Sequence, residues 1–473
     1  MSISDQYDAV VVGAGPNGLA AAIAIAQAGK SVAVFEANET AGGAVRSAAL
    51  TLPDFVHDIC SAVYPLALGS PFFRTLPLEQ YGVEWIQPPA PLAHPFDDGT
   101  ALLIDRSVEK TAARLDSDAG AYRRLFAFLS ADWDSLSSDL LAPPRWPSRP
   151  IKLARFATSA LQPARRFAEK HFDHDRTRAL FGGLAAHSML PLEQWGSAAF
   201  GLVLGATAHA LGWPIVRGGA RRLADALCSY LVTLGAKIFL NHPVRTLAEL
   251  PQPRAVLCDL TPRQLLEIAG PKLPPWYRDK LKNYRYGMGA FKMDWAVSAA
   301  LPWRARECSE AATVHLGGSL AEIARSERMA WRGFHTDKPF VLLVQPSLFD
   351  DSRAPPGKHT LWAYCHVPNA SGFDMTERIE AQIERFAPGF HDTILARHVS
   401  APVELQRRNA NLVGGDINGG AANLAQMFLR PTRRLYSTPT PGLYICSSST
   451  PPGGGVHGMC GYFAARMALR QMF

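Results

Sequence analysis

Gly13, Gly15 and Gly18, with Glu36 about twenty residues further on, are residue types whose spacing can hold a pyrophosphate and a ribose. Gly13 lets the chain turn off a strand, Gly15 admits a phosphate close to the main chain, and Gly18 lets the following helix pack on the sheet. Pro16 and Asn17 open that helix, whose free N–H groups and positive end favour anions. Glu36 ends the next strand, where its carboxylate can accept both ribose hydroxyls. A second set of residues could move protons. In the run from Tyr286 to Val297, alternation puts Lys292 and Asp294 on one strand face, with Phe291, Met293 and Trp295 on the other. That face is either a reactive wall with a paired cation or a solvated edge.

The elements needed to position these residues are legible around them. Tyr7 to Val12 reads as a buried strand, Ser31 to Phe35 as its parallel neighbour, and the stretch between them as an apolar helix. A second glycine loop, Thr40 to Arg46, follows. Residues 98–213 read as helices broken by the proline-rich stretch Ala142 to Pro147. Gly218 and Gly219 precede a helix, then strands at 236–240 and 255–260. Residues 284–400 alternate strands and helices, and Leu443 to Cys446 with the helix after Gly458 closes the first domain.

Composition sets the bounds. The 473 residues suffice for two or three domains, and 48% hydrophobic with 19% charged residues is ordinary for a globular enzyme. A net charge of +7 without basic runs does not point to nucleic acid. Seven scattered cysteines, with no CxxC pair, indicate reduced buried thiols in a cytosolic protein and no metal site. The apolar stretch Gly196 to Val216 holds four glycines, His209 and Pro214, and reads as a buried helix plus turn. Lys152 to Lys170 is either a solvated helix face or a basic amphipathic helix for peripheral contact with anionic membrane.

With Gly42-Gly43-x-x-Arg46, Gly218-Gly219 and the run Pro452 to Gly458 in the same order, the chain resembles the flavin amine oxidase and phytoene desaturase superfamily. Its pattern is most like phytoene-dehydrogenase-like FAD-dependent oxidoreductases, a group related to pyridine nucleotide-disulphide oxidoreductase domain proteins and retinol saturases. The resemblance implies an α/β fold: a discontinuous Rossmann-type FAD-binding domain (1–95, 215–275 and 405–473) with an inserted α+β substrate domain (96–214 and 276–404). It implies FAD contacts at Gly13, Gly15, Pro16, Asn17, Gly18, Glu36, Ala37, Gly42, Gly43, Arg46, Ala62, Val244, Ser448, Gly455 and Val456. Where relatives carry an acid or small residue before the last loop, this chain has Ser447 to Thr450. By resemblance, Lys292 acts near flavin N5 with Asp294 as charge partner or proton acceptor, and His457 adds a donor near N1. The implied reaction removes a hydride from a carbon of a hydrophobic, polyene- or lipid-like substrate. An amine oxidase, a saturase running in reverse and a non-catalytic binder are the alternatives. With one dinucleotide fingerprint, the expected electron acceptor is oxygen or a quinone and not a second bound nucleotide.

Overall fold

A computed structural model describes residues 6–473. Two sheets organise it. The first has five parallel strands in the order Leu443–Ile445, Ala255–Cys258, Ala9–Val12, Val32–Phe35, Lys237–Phe239. Its central strand reads Ala-Val-Val-Val with every side chain buried, the continuous apolar pattern of a parallel strand covered on both faces. The strands come from three separate stretches of chain, and one of the two edge strands, Leu443–Ile445, comes from the C-terminal stretch.

The helix Pro16–Gln27 follows the first strand, with Pro16 where its fixed φ suits a helix start. Gly13 has φ +98°, which side chains avoid, and a Cβ on Gly18 would lie 2.0 Å from the Gly13 carbonyl oxygen. The C-terminal helix Met459–Met472 packs against Pro16–Gln27 so closely that a Cβ on Gly461 would lie 1.8 Å from the Asn17 carbonyl oxygen. The two ends of the polypeptide are thus locked together at the glycine turn.

The second sheet has seven strands in the order Ile394–Ser400, Gly289–Val297, His359–Val367, Val341–Val344, Ala311–Leu316, Ala90–Pro95, Ala101–Ile104. All neighbours are antiparallel except Ala311–Leu316 with Ala90–Pro95. The chain therefore enters this sheet at residue 90, ahead of the division expected at 95. Phe291, Met293 and Trp295 bury one face. Across the opposite face, register aligns Asp294, Trp362, Val344 and Thr313 in one row and Lys292, Tyr364, Leu342 and His315 in the next.

Helices from 108 to 210 form a cap over that second face, and most of their aromatic side chains, Phe126, Trp133, Phe167, Phe172 and Phe181 among them, make its core. The basic stretch is two helices, Pro150–Ala160 and Ala164–His171, broken at Pro163 and not one amphipathic rod. The apolar stretch near 200 is the helix Ser197–Ala210 followed by the short strand Ile215–Val216. Among the described residues, no helix is long and apolar enough to cross a membrane.

Replacing Gly461 with alanine forces apart two backbones that cannot yield cheaply. We expect a loss of about 1–3 kcal/mol in urea unfolding, and an unchanged midpoint would contradict the packing described.

Candidate functional site

One cleft of about 710 Å³ joins the two sheets. Its outer end lies at the carboxyl ends of the parallel strands, where open α/β sheets bind ligands. Gly13, Gly15, Pro16, Asn17, Glu36, Ala37, Gly43 and Val244 line it there, with Ala62, Ser448, Gly455 and Val456 further in. Glu36 accepts the Ala14 N–H at 2.8 Å, and its other oxygen accepts the main-chain and side-chain N–H groups of Asn38 at 2.9 and 2.7 Å. That clamp aims a buried carboxylate along the cleft wall. The second glycine loop is tied to the first by the Gly42 N–H on the Ala14 carbonyl, 2.8 Å.

Three residues expected at the cofactor do not line the cleft. Gly18 and Gly42 act behind it, the first in helix packing and the second in the loop's main-chain tie. Arg46 turns away: its guanidinium donates to the carbonyls of Gly43 at 3.0 Å and Arg408 at 2.9 Å, bracing the loop from outside. Of the four hydroxyls at 447–450, Ser447, Ser449 and Thr450 bond to the carbonyls of Leu260, Gly419 and Ser447, which leaves Ser448 on the cleft.

The inner end lies between the second sheet and the cap. Phe200, Leu204, Trp213, Leu342, Val344 and Trp362 line it, with His187, Thr313 and Tyr364. Trp362 and Tyr364 stack at 5.7 Å and 20°. His187 bonds His315 at 3.0 Å, and burial holds the His187 imidazole down to about 3, so this pair is neutral. The residues of this chamber carry no local sequence signal. They converge because strands far apart in sequence align their cavity-facing positions.

Lys292 and Asp294 share the expected face, but the strand carrying them is interior, flanked by His359–Val367 and Ile394–Ser400. The solvated-edge alternative is therefore wrong. The ammonium is 2.5 Å from both Asp294 oxygens, both side chains are buried, and the ammonium sits 5.4 Å from the Trp362 ring. Neither residue lines the cleft: the pair stands one side chain behind the wall. Burial pushes the Asp294 carboxyl up to about 6 against the pull of Lys292. His57 lies 3.7 Å from Asp294 and accepts or donates to Thr51 at 2.7 Å. Burial, aided by Lys292 and Arg353, holds His57 down to about 3, in its neutral form.

His457 also stands off the cleft. Its Nδ1 accepts the Met459 N–H at 3.0 Å, so it caps the start of the C-terminal helix, and burial lowers it to about 4. Asp416 makes turn contacts, accepting N–H groups of Gly287 and Asn418 at 2.7 Å each. Asp58 is part of a buried charge node. It pairs with Arg353 at 3.1 Å and accepts the Ala220 N–H at 2.7 Å; Arg353 also pairs with Asp350 at 2.7 Å, which accepts the Gly218 N–H at 2.8 Å. This node fixes the Gly218-Gly219 turn to the second sheet's flank. We expect Arg353→Met to cost about 3–5 kcal/mol in urea unfolding, because two buried carboxylates lose their cation; a loss below about 1 kcal/mol would contradict the assignment.

The NAD(P)-binding Rossmann-like domain family matches residues 11–74. Over nearly its whole length the chain is similar to mouse pyridine nucleotide-disulfide oxidoreductase domain-containing protein 2, 26% identical over 99% of this chain and 94% of that protein. It is similar to one of the polypeptides of limonene dehydrogenase from Castellaniella defragrans, 24% identical over 100% and 96%. A hydroxyneurosporene desaturase of Rhodobacter capsulatus is 29% identical over 38% of this chain and 39% of its own. Among solved structures, an oxidoreductase from Methanosarcina mazei has a TM-score of 0.66 at 16% identity, covering 97% of this chain and 99% of that one. Putrescine oxidase bound to putrescine has a TM-score of 0.63 at 18% identity, covering 98% and 99%. With its glycine turn, its two sheets and the cleft between them, the chain is similar along nearly its whole length to oxidoreductases of the flavin amine oxidase and phytoene desaturase type and shares their fold.

Proposed function

We propose that the protein is an FAD-dependent oxidoreductase acting on a hydrophobic substrate. One observation carries the reading: a single cleft runs from the glycine turn and Glu36, past the loop Gly454 to Val456, into an apolar chamber. The outer part fits an extended dinucleotide. Gly13, Gly15 and Asn17 line it at the helix start, Gly15 without a side chain in the way, and Glu36 stands at the far side. Gly13, Gly15, Pro16 and Asn17 would hold the pyrophosphate, Glu36 and Ala37 the ribose, and Val244 the adenine. Gly43, Ala62, Ser448, Gly455 and Val456 would hold the flavin half. When bound, FAD would supply the redox chemistry, as acceptor of a hydride from a substrate carbon.

The chain's own residues shape the rest. Phe200, Leu204, Trp213, Leu342 and Val344 exclude water from the chamber and select an apolar body. Lys292, held by Asp294 behind Trp362, stands one layer from the reacting groups without touching substrate. Among the described residues no carboxylate lines the inner chamber, so a charged diamine, the ligand named with putrescine oxidase, finds no counter-ion there. A hydrocarbon like that in the name of limonene dehydrogenase meets no such objection. This favours a desaturase or dehydrogenase, and the same chamber would serve a saturase. Oxygen or a quinone is the proposed acceptor. Peripheral contact with an anionic membrane belongs to the same reading: Trp146 and Ile151 project 87% and 85% exposed from the cap, beside Arg145, Arg149 and Lys152.

The test is optical. The purified protein should carry, or take up, one FAD and show a flavin spectrum; a colourless protein indifferent to added FAD would contradict the reading. Anaerobic bleaching by an amine but not by a terpene or polyene would replace the desaturase reading with an amine oxidase. We expect Lys292→Met to keep FAD bound while slowing re-oxidation in air of the chemically reduced protein, or its reduction by substrate, by roughly tenfold or more. Unchanged rates for both steps would remove Lys292 from the mechanism.

A further inference from the structure

Asp259 follows the strand Ala255–Cys258 and enters the cleft directly beneath the glycine turn. Its Oδ2 accepts the Gly18 N–H at 2.9 Å, and a Cβ on Gly15 would lie 2.5 Å from the same oxygen. A Cβ on Gly13 or on Gly18 would lie 3.2 Å from the Asp259 Cβ. Asp259 is 6% exposed and so lies at the floor of the cradle where a pyrophosphate meets the main chain. On the other side of the turn, Glu36 already holds the Ala14 N–H. The cradle is thus bounded by two acids; Arg46 points elsewhere, and Arg245 and Glu267, which also line the cleft, do not act on Asp259.

Two negative phosphates cannot settle against a buried ionised carboxylate on which no cation acts without a large Coulomb cost. Resting on the cofactor reading above, we propose that Asp259 is a dinucleotide-binding residue in its neutral form, so that FAD binding takes up one proton at this carboxyl. The surroundings agree. Burial pushes the carboxyl up to about 7; the Gly18 N–H opposes the rise and the charge of Glu36 adds to it. The other titratable groups facing Asp259 are the thiols of Cys258, Cys446 and Cys460, which burial also raises and which stay neutral. Among the described residues no cation acts on it.

The sign follows from linkage. Below the free protein's titration point Asp259 is already protonated, and affinity is independent of pH. Above it, each pH unit should weaken FAD binding by up to about tenfold, since a proton must be taken up. The experiment titrates flavin-free protein with FAD, following quenching of flavin fluorescence, from about pH 6 to about pH 9. Calorimetry in two buffers of different ionisation enthalpy counts the protons. The wild type should lose affinity steadily above neutrality and take up about one proton per FAD. Asp259→Asn, which has no carboxyl to protonate, should show a flat profile and no proton uptake whatever its absolute affinity, although His242 and His187, which also line the cleft, remain. A flat wild-type profile, or a slope that survives in the variant, would overturn the proposal. Should the variant fail to fold, the wild-type proton count decides, and a count of zero overturns it. Failure to bind FAD at every pH has a different signature and would overturn the cofactor reading along with it.

Discussion

Backbone meeting backbone at the glycine turn is the constraint on which the rest depends. The Gly13 carbonyl occupies the space a side chain on Gly18 would need, and the Asn17 carbonyl occupies that of Gly461. Those contacts bring the first strand, the first helix and the last helix to within van der Waals distance. They also leave the helix N-terminus open on the cleft. What the outer half of the cleft offers at the turn, a helix start with Asn17 on the wall and the carboxylates of Glu36 and Asp259 held by its N–H groups, follows from that proximity.

The second sheet solves a different problem. It carries polar groups on a face that must stay dry, and does so by pairing them before they reach the cleft. Lys292 is neutralised by Asp294, His187 leans on His315, and His366 bonds Glu327 at 2.7 Å. What faces the chamber is therefore largely aromatic and aliphatic. The Asp58–Arg353–Asp350 node then fixes this sheet to the Gly218-Gly219 turn that leads into the first. Buried charge here serves to hold two architectures in one orientation, because either carboxylate alone would be a liability.

Much of this was legible in the sequence where a residue type is demanded by backbone geometry. Gly13, Gly15, Gly18 and Glu36 declare themselves, since only those residues fit a strand, turn, helix and strand at that spacing. The shared face of Lys292 and Asp294 was legible from alternation, but not its burial, which depends on pairing with strands about 70 and 100 residues away. Arg46 and His457 were read toward the cofactor because their loops go there; their side chains instead satisfy carbonyls and a helix start. Asp259 was missed. Its place under the turn requires Ala255–Cys258 to lie beside Ala9–Val12, a pairing 246 residues apart that a local pattern cannot show, although an acid at the end of a buried apolar strand was a usable signal. The chamber was legible only in part: the aromatic residues before Trp213 hinted at an apolar lining, but Thr313 and Trp362 join Phe200 and Trp213 there from strands 100 and more residues further along the chain.

The central claim is that one cleft holds a flavin dinucleotide across both sheets. A crystal structure of the protein with FAD tests it most directly. The account predicts the pyrophosphate against Gly15 and Asn17, the ribose at Glu36, and the ring system beside Gly455 and Val456, facing the wall formed by Trp362 and Tyr364. Density for the cofactor outside this cleft, or a cleft left empty at saturating FAD, would contradict it.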